Sequence, residues 1–294
     1  MSEATAREDL LALLDVRETG EGVFTGAAAV SSAFRTRVFG GQLLAQALAA
    51  ASFTVPDDAP AHSLHAYFAR PGIPGRPIEY EVTAMRDGQS FLLRNVAAVQ
   101  RDELTCHLIA SFGRDQAGAE FQPPMPETPP PETFPPEDER NARLIARAGE
   151  SMRKLFESSP VEFISVDAPD IAERSEPRGP IRSWIRIRQS TPKDPIVQRC
   201  LLAYCSDLSL IEPSVRAIGG MFGDPELQVA SLDHALWFHR PFDFDDWLLF
   251  VAESLSVAGG RGLNRGSVYT RDGALVASAT QEGVMRKRNP LPDP

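Results

Sequence analysis

Three things are scarce in this chain, and each scarcity narrows what it can be. It has only three cysteines in 294 residues, Cys106, Cys200 and Cys205, with no CxxC pair and no histidine at ligand spacing from them. That excludes a disulfide framework and a zinc finger as organising devices, so the cysteines read as small core residues. Its apolar runs fall short of the roughly 20 residues that a membrane-spanning helix needs. The N-terminus, MSEATAREDL, is polar and acidic where a signal peptide would be basic and then apolar. The expectation is a cytoplasmic protein. Basic residues are also in deficit, 30 Lys and Arg against 40 Asp and Glu, for a net charge of −10. Nucleic acid and anionic membranes demand a basic face, so neither is expected as the main partner. No GxSxG motif is present, which removes the nucleophile elbow of one large hydrolase class.

What the chain does have is a globular composition, 43% apolar, at a length suited to one large or two medium domains. The histidines offer HxxH at His62 and His65, and a second pair at His234 and His239 around an aromatic dipeptide. Both segments read as strands, where an odd separation sends side chains to opposite faces, so neither pair can grip one metal ion. No metal site is expected.

Residues 195–211, PIVQRCLLAYCSDLSLI, form the most informative stretch. After Arg199 they are apolar or small on every face, the pattern of a fully buried helix. The helix then meets one carboxylate, Asp207, at the end where the macrodipole is negative. An unpaired buried charge costs several kcal/mol, roughly, so Asp207 must reach water, find donors or change its pKa. Two readings stay open from this stretch: Asp207 or Ser206 caps the next turn, or Asp207 is held there for chemistry.

In chain order, residues 3–15 make a short amphipathic helix, a loop follows, and residues 36–51 give a second helix that is apolar nearly all round. Strand-like runs come at 62–70, 78–85, 91–100 and 104–112, parted by turn material such as Pro71-Gly72 and Asp87-Gly88. Residues 114–139 are too rich in proline for helix or interior strand and read as a surface linker, partly polyproline II. A second unit follows: a helix over 140–157, strands over 161–166 and 182–189, the buried helix, and strands over 227–240, 247–257, 263–270 and 275–285. The order of a helix and then four strands has occurred twice. Tyr67-Phe68 and Trp237-Phe238 lie 170 apart, as do Arg70-Pro71 and Arg240-Pro241, and Arg101-Asp102 and Arg271-Asp272. Three coincident spacings indicate an internal duplication, expected to build one continuous curved sheet with two helices against it. The division expected is a first repeat over 1–113, a linker over 114–139 and a second repeat over 140–294.

The runs VFGGQLLAQAL, HSLHAYFARPG, MRDGQSF, LLAYCSDLSLI, SLDHALWFHRPF and VASATQEGVMR resemble the acyl-CoA thioesterase II family. The likeness extends from residue 10 to 288 and lapses over the linker. It implies an α+β double hot-dog, two repeats each with an antiparallel sheet wrapped round a buried helix. It also implies hydrolysis of fatty acyl-CoA to free acid and coenzyme A by an activated water. The family's aspartate, hydroxyl residue and glutamine fall on Asp207, Ser231 and Gln281. Bacterial relatives often carry threonine where Ser231 stands; serine keeps the hydroxyl and lacks the methyl that restricts its rotamer. No cofactor is implied, coenzyme A being part of the substrate. Assembly into homo-oligomers, dimer or tetramer, is implied as well.

Chemically the trio is coherent, because water attack on a thioester needs one proton acceptor and neutral groups to aim the oxygen. Subtracting 170 from Ser231 and Gln281 lands on Ala61 and Ser111, so the first repeat lacks the water-holding pair and one site per chain is expected. Gly40 and Gly41 open the first buried helix, where backbone N–H groups could serve an oxyanion; close packing would equally explain them. Arg261, Arg265, Arg286, Lys287 and Arg288 are candidates to meet coenzyme A phosphates, but ordinary surface charge is the better account of any single one, and none is assigned to the site. Two rival readings remain: a hot-dog enoyl-CoA hydratase, for which His234 or His239 would be essential, and a non-catalytic acyl-CoA-binding protein. A serine hydrolase is disfavoured, since along one strand His234 faces away from Ser231.

Overall fold

The structure, a computed structural model, describes residues 9–27, 37–114, 116–148, 158–167, 180–220 and 226–287. Helix α1 (Leu10–Leu14) is capped by Asp9, whose side chain accepts from the Ala12 N–H. Residues 3–8 of the expected first helix lie outside the described residues. The segment expected as a loop is instead a hairpin of β1 (Val16–Gly20) and β2 (Val23–Gly26), turning at Gly22 with φ of 67°. β1 is an exposed edge, so it never shows the apolar alternation by which strands are recognised.

Helix α2 (Gly40–Ser52) starts later than residue 36 and is buried along its length. It is followed by β3 (Ala61–Phe68), β4 (Ile78–Asp87), β5 (Phe91–Gln100) and β6 (Glu103–Gly113). In the second half, α3 (Glu137–Ala148) begins inside the tail of the expected linker, with Glu137, Asp138 and Glu139 placed where the dipole favours acids. Residues 149–157 of that expected helix lie outside the described residues. Then come β7 (Val161–Ser165), β8 (Ile181–Ile187), α4 (Pro195–Ser206), α5 (Glu212–Ala217), β9 (Leu227–Ser231), β10 (Asp233–Phe238), β11 (Leu248–Ala258), β12 (Arg261–Thr270) and β13 (Leu275–Lys287).

All the described strands join one antiparallel sheet in the order β1-β2-β4-β5-β6-β3-β10-β13-β12-β11-β8-β7, with β9 also on β13. Replace each strand of one half by its counterpart, and the order reads the same from either end. At the centre β3 pairs with β10, and His65 lies opposite Ala235, the residue 170 further on. The pseudo-twofold axis of the duplication passes through that pair. The strands from β3 to β6 and from β10 to β13 keep the spacing of about 170, β5 and β12 having the same limits once shifted. The helices do not: α2 and α4 begin 155 apart, so about 15 residues, holding α5, have been added after α4. This is the α+β double hot-dog, the two helices packing together in one core with the sheet around them.

The expected strand over 227–240 is broken. β9 pairs with β13 as Ser231 to Gly283, but β10 pairs with it as Ala235 to Thr280. Four steps on one strand meet three on the other, which is a one-residue bulge near Leu232. The first half has its own bulge in the matching place, between Ala61 and Ser63 against β6.

The proline-rich segment is a strap over the outer face of the second half. Gln122 donates to Gly273 O at 2.8 Å and accepts from Leu275 N–H at 2.9 Å, and Trp184 Nε1 donates to Pro129 O at 2.9 Å. Met125 and Phe134 pack there on Ile164, Trp184, Trp247, Leu249, Tyr269 and Leu275. In the first half the places of Trp247 and Leu249 belong to Pro77 and Glu79, a surface that needs no cover.

Candidate active site

Asp207 follows the last turn of α4 with helical backbone angles, φ −90° and ψ −4°. Its side chain is 4% exposed. Unfavourably placed on its own helix, it meets the start of the other one. The first turn of α2 lies against the last turn of α4, Phe39 packing edge-on to Tyr204 at 5.0 Å between ring centres. Phe39, the N-cap of α2, supplies no capping side chain. The Asp207 carboxylate takes that place and accepts from the Gly41 N–H, so the positive pole of α2 answers the negative pole of α4.

Glycine is required for this approach. A Cβ on Gly40 would stand 2.6 Å from Asp207 Oδ2, and one on Gly41 would collide with the Tyr204 carbonyl. One of the two N–H groups expected to serve an oxyanion is thus directed at Asp207. Gly40, one residue earlier, has no intrahelical acceptor for its own N–H.

Ser231 Oγ, from the end of β9, donates to Asp207 Oδ1 at 3.4 Å. Gln281, fully buried on β13, donates to the same oxygen through Nε2. Its Oε1 is buried and finds no partner among the described residues. The three predicted residues therefore converge on one carboxylate. Burial drives the Asp207 carboxyl up to about 6, against the bonds from Gln281, Gly41 and Ser231 that favour its charged form.

His234 joins them, contrary to the expectation that it faces away from Ser231. The bulge at Leu232 reverses the alternation, so odd residues of β9 and even residues of β10 point inward. His234 Nδ1 lies 3.2 Å from Gln281 Nε2 and 3.9 Å from Asp207 Oδ1. Its Nε2 lies 2.9 Å from Ser206 Oγ, which donates to Ala203 O. Burial depresses the imidazole to about 3, so the ring is neutral and forms no ion pair with Asp207. A sequence signal existed: His234 shares period-two parity with the core residues Leu236 and Phe238.

Other candidates do not converge here. Arg261 pairs with Glu282 at 2.9 Å and Arg265 with Glu253 at 2.5 Å, Arg286 and Lys287 are exposed at the end of β13, and Arg288 lies outside the described residues. His239 contacts Ser278 at 2.9 Å. All three cysteines are buried with their thiols pushed up, Cys106 and Cys200 to about 12. No group of three or more metal-ligating side chains occurs among the described residues. No helix among them is long and apolar enough to cross a membrane.

Comparison with known proteins gives the family and the fold. A family model described as acyl-CoA thioesterase matches residues 176–284, and one for the acyl-CoA thioesterase N-terminal domain matches residues 29–113. The chain is similar to acyl-CoA thioesterase 2 of Haemophilus influenzae, 36% identical over 95% of this chain and 97% of that one. It is 34% identical to human acyl-coenzyme A thioesterase 8 over 85% of this chain and 81% of the relative. Among solved structures, acyl-CoA thioesterase II TesB2 from Mycobacterium marinum superposes with a TM-score of 0.77 at 32% identity, covering 97% of this chain and all of that one.

Proposed function

The chain belongs to the acyl-CoA thioesterase family and hydrolyses acyl-CoA thioesters to the free acid and coenzyme A; from that premise we propose that Asp207 is the general base, with Ser231 and Gln281 holding the attacking water. The observation that carries this reading is a buried carboxylate at the junction of two helix ends, bonded by both neutral side chains, beside a Gln281 Oε1 that lacks a partner among the described residues. When the Ser231 hydroxyl turns its one hydrogen from Asp207 to a water that donates to Gln281 Oε1, the remaining hydrogen of that water is aimed at Asp207. As its oxygen attacks the thioester carbonyl, that proton passes to the carboxylate. The oxyanion so formed is stabilised by the N-terminal N–H of α2 at Gly40. Collapse breaks the C–S bond, and Asp207 returns the proton to the coenzyme A sulfur. No cofactor takes part.

This assignment places the chemistry in the second repeat, 140–294, with 1–113 lending the helix start and 114–139 acting as strap. The basic residues near Glu253 and Glu282, and those ending β13, are candidates for the coenzyme A phosphates. The exposed outer strand β1 favours assembly into a dimer or tetramer, and the acidic surface fits a cytoplasmic protein. A hydratase would need a histidine facing substrate, and both nitrogens of His234 are bound to protein groups. A mere binding protein leaves a costly buried aspartate unexplained.

The test is Asp207→Asn, nearly isosteric, assayed by thiol release: kcat falls by about 10² to 10⁴ with KM little changed. Wild-type kcat should rise about tenfold per pH unit below pH 6 and level off above it, as the carboxylate at about 6 loses its proton. Full turnover by the folded Asp207→Asn variant would sink the assignment.

A further inference from the structure

The feature that the mechanism leaves unused is the histidine behind the glutamine. Gln281 Nε2 sits between Asp207 Oδ1 and His234 Nδ1, and it donates to both when the ring carries its proton on Nε2. Its two hydrogens are thereby both committed. The reversed amide would set Oε1 against a carboxylate oxygen and an imidazole lone pair, two repulsive contacts in a buried place.

His234 can act as acceptor only in one tautomer, and its neighbours enforce it. Ser206 Oγ gives its hydrogen to Ala203 O at 3.0 Å, which leaves a lone pair towards His234. The imidazole therefore carries its proton on Nε2, donates to Ser206 at 2.9 Å and presents a bare Nδ1 to Gln281. A chain of bonds runs from a carbonyl in the last turn of α4 to the amide of β13. Its far end is the unpartnered Oε1.

We propose that His234 is a positioning residue for hydrolysis, which fixes the Gln281 amide with Nε2 on Asp207 and Oε1 towards the attacking water. This rests on Gln281 being the water-holding group. The first half makes the contrast, because the place of His234 there is Leu64 and that of Gln281 is Ser111, so no amide needs fixing. Ser206 enters as the anchor of the ring, one residue before Asp207. The same helix turn thus sets both the base and the tautomer of the residue that orients its partner.

The experiment uses the full chain, thiol-release kinetics and two conservative variants that keep different nitrogens. Asparagine places an acceptor near Nδ1, and glutamine places a donor near Nε2. His234→Asn should retain kcat within about fivefold, whereas His234→Gln should lose about 10- to 100-fold in kcat with KM changed less than about threefold. In a Gln281→Ala background, His234→Gln should cost less than about twofold, since the group it acts through is gone. Equal losses in His234→Asn and His234→Gln would overturn the proposal, as would an undiminished His234→Gln loss in the Gln281→Ala background. If Gln281→Ala alone kept full kcat, the water-holding reading would fall first and this one with it. Should His234→Gln fail to fold, Ser206→Ala, which frees the tautomer without touching the ring, should lower kcat about 3- to 10-fold; an unchanged kcat would count against the proposal.

Discussion

Where α4 ends the chain places Asp207; where α2 ends, the matching residue is Ser52, whose hydroxyl donates back to Leu48 O at 2.8 Å. The two helix starts differ too. α2 opens on Gly40 and Gly41 with no capping side chain, while α4 opens on Pro195 and is capped by its own Asp194. Just past α2, the buried Arg94 donates to Thr54 O at 2.9 Å and Thr54 Oγ at 2.8 Å, and pairs with Asp87 at 2.7 Å. A cation at a helix C-terminus is what the dipole favours. The counterpart of Arg94 is Asn264, which accepts from the backbone and hydroxyl of Ser214 in α5. One scaffold has thus been finished in two ways. The first half satisfies the end of its helix locally and leaves the start bare, while the second caps its helix start locally and leaves a carboxylate at the end to be satisfied across the junction.

The contrast is tested most severely by substituting matched helix ends. Asp207→Asn should remove activity by the factor given above, and Ser52→Ala should leave kcat within about twofold. Arg94→Met should do the reverse: it strands two Thr54 acceptors, while the exposed Asp87 stays solvated, and should lower unfolding free energy by roughly 2 kcal/mol in urea titrations, with kcat per folded molecule unchanged. Gly40→Ala should slow turnover by about 10- to 100-fold as the new methyl pushes Asp207 aside, whereas Pro195→Ala at the matched helix start should stay within about twofold. A Pro195 effect as large as that of Gly40 would erase the proposed asymmetry.

The smallest expected effect is on stability. Asp207 has a folded pKa of about 6, above its ordinary value, so the fold favours its protonated form. That contribution is complete below about pH 4 and is lost as pH rises through 6. Asp207→Asn should therefore be more stable than wild type at pH 7, by about 1–2 kcal/mol once the weaker bonds to an amide are allowed for, with the difference vanishing near pH 4. His234, depressed to about 3, gains stability with rising pH in both proteins and so leaves the difference alone.

Much of this was legible beforehand because repetition carries register. Strand-like runs located β3 to β6 and β10 to β13, the spacing of 170 tied the two sets together, and the lone Asp207 on an apolar helix marked the junction. β1 escaped notice since an exposed edge strand lacks buried alternation, and β2 since its alternation runs for only four residues. His234 was placed on the wrong face because the parity was carried over from Ser231 through a one-residue bulge; the alternation of His234 with Leu236 and Phe238 held the signal, and the ladder on either side of Leu232 shows where the parity changes. The strap was read as a bridge, although Trp184, Trp247 and Tyr269 called for a cover on that side.

The pairing of β3 with β10 carries a further consequence, for the route by which the molecule becomes active. Neither half contains the whole of the proposed site: one holds the glycine-opened helix, the other the carboxylate, and the central ladder brings them together. Loops can close within each half early, but the joint spans most of the chain and is entropically the latest event. Turnover on refolding should then lag behind the recovery of helix and sheet signals, so that enzyme activity acts as a clock for the union of the halves.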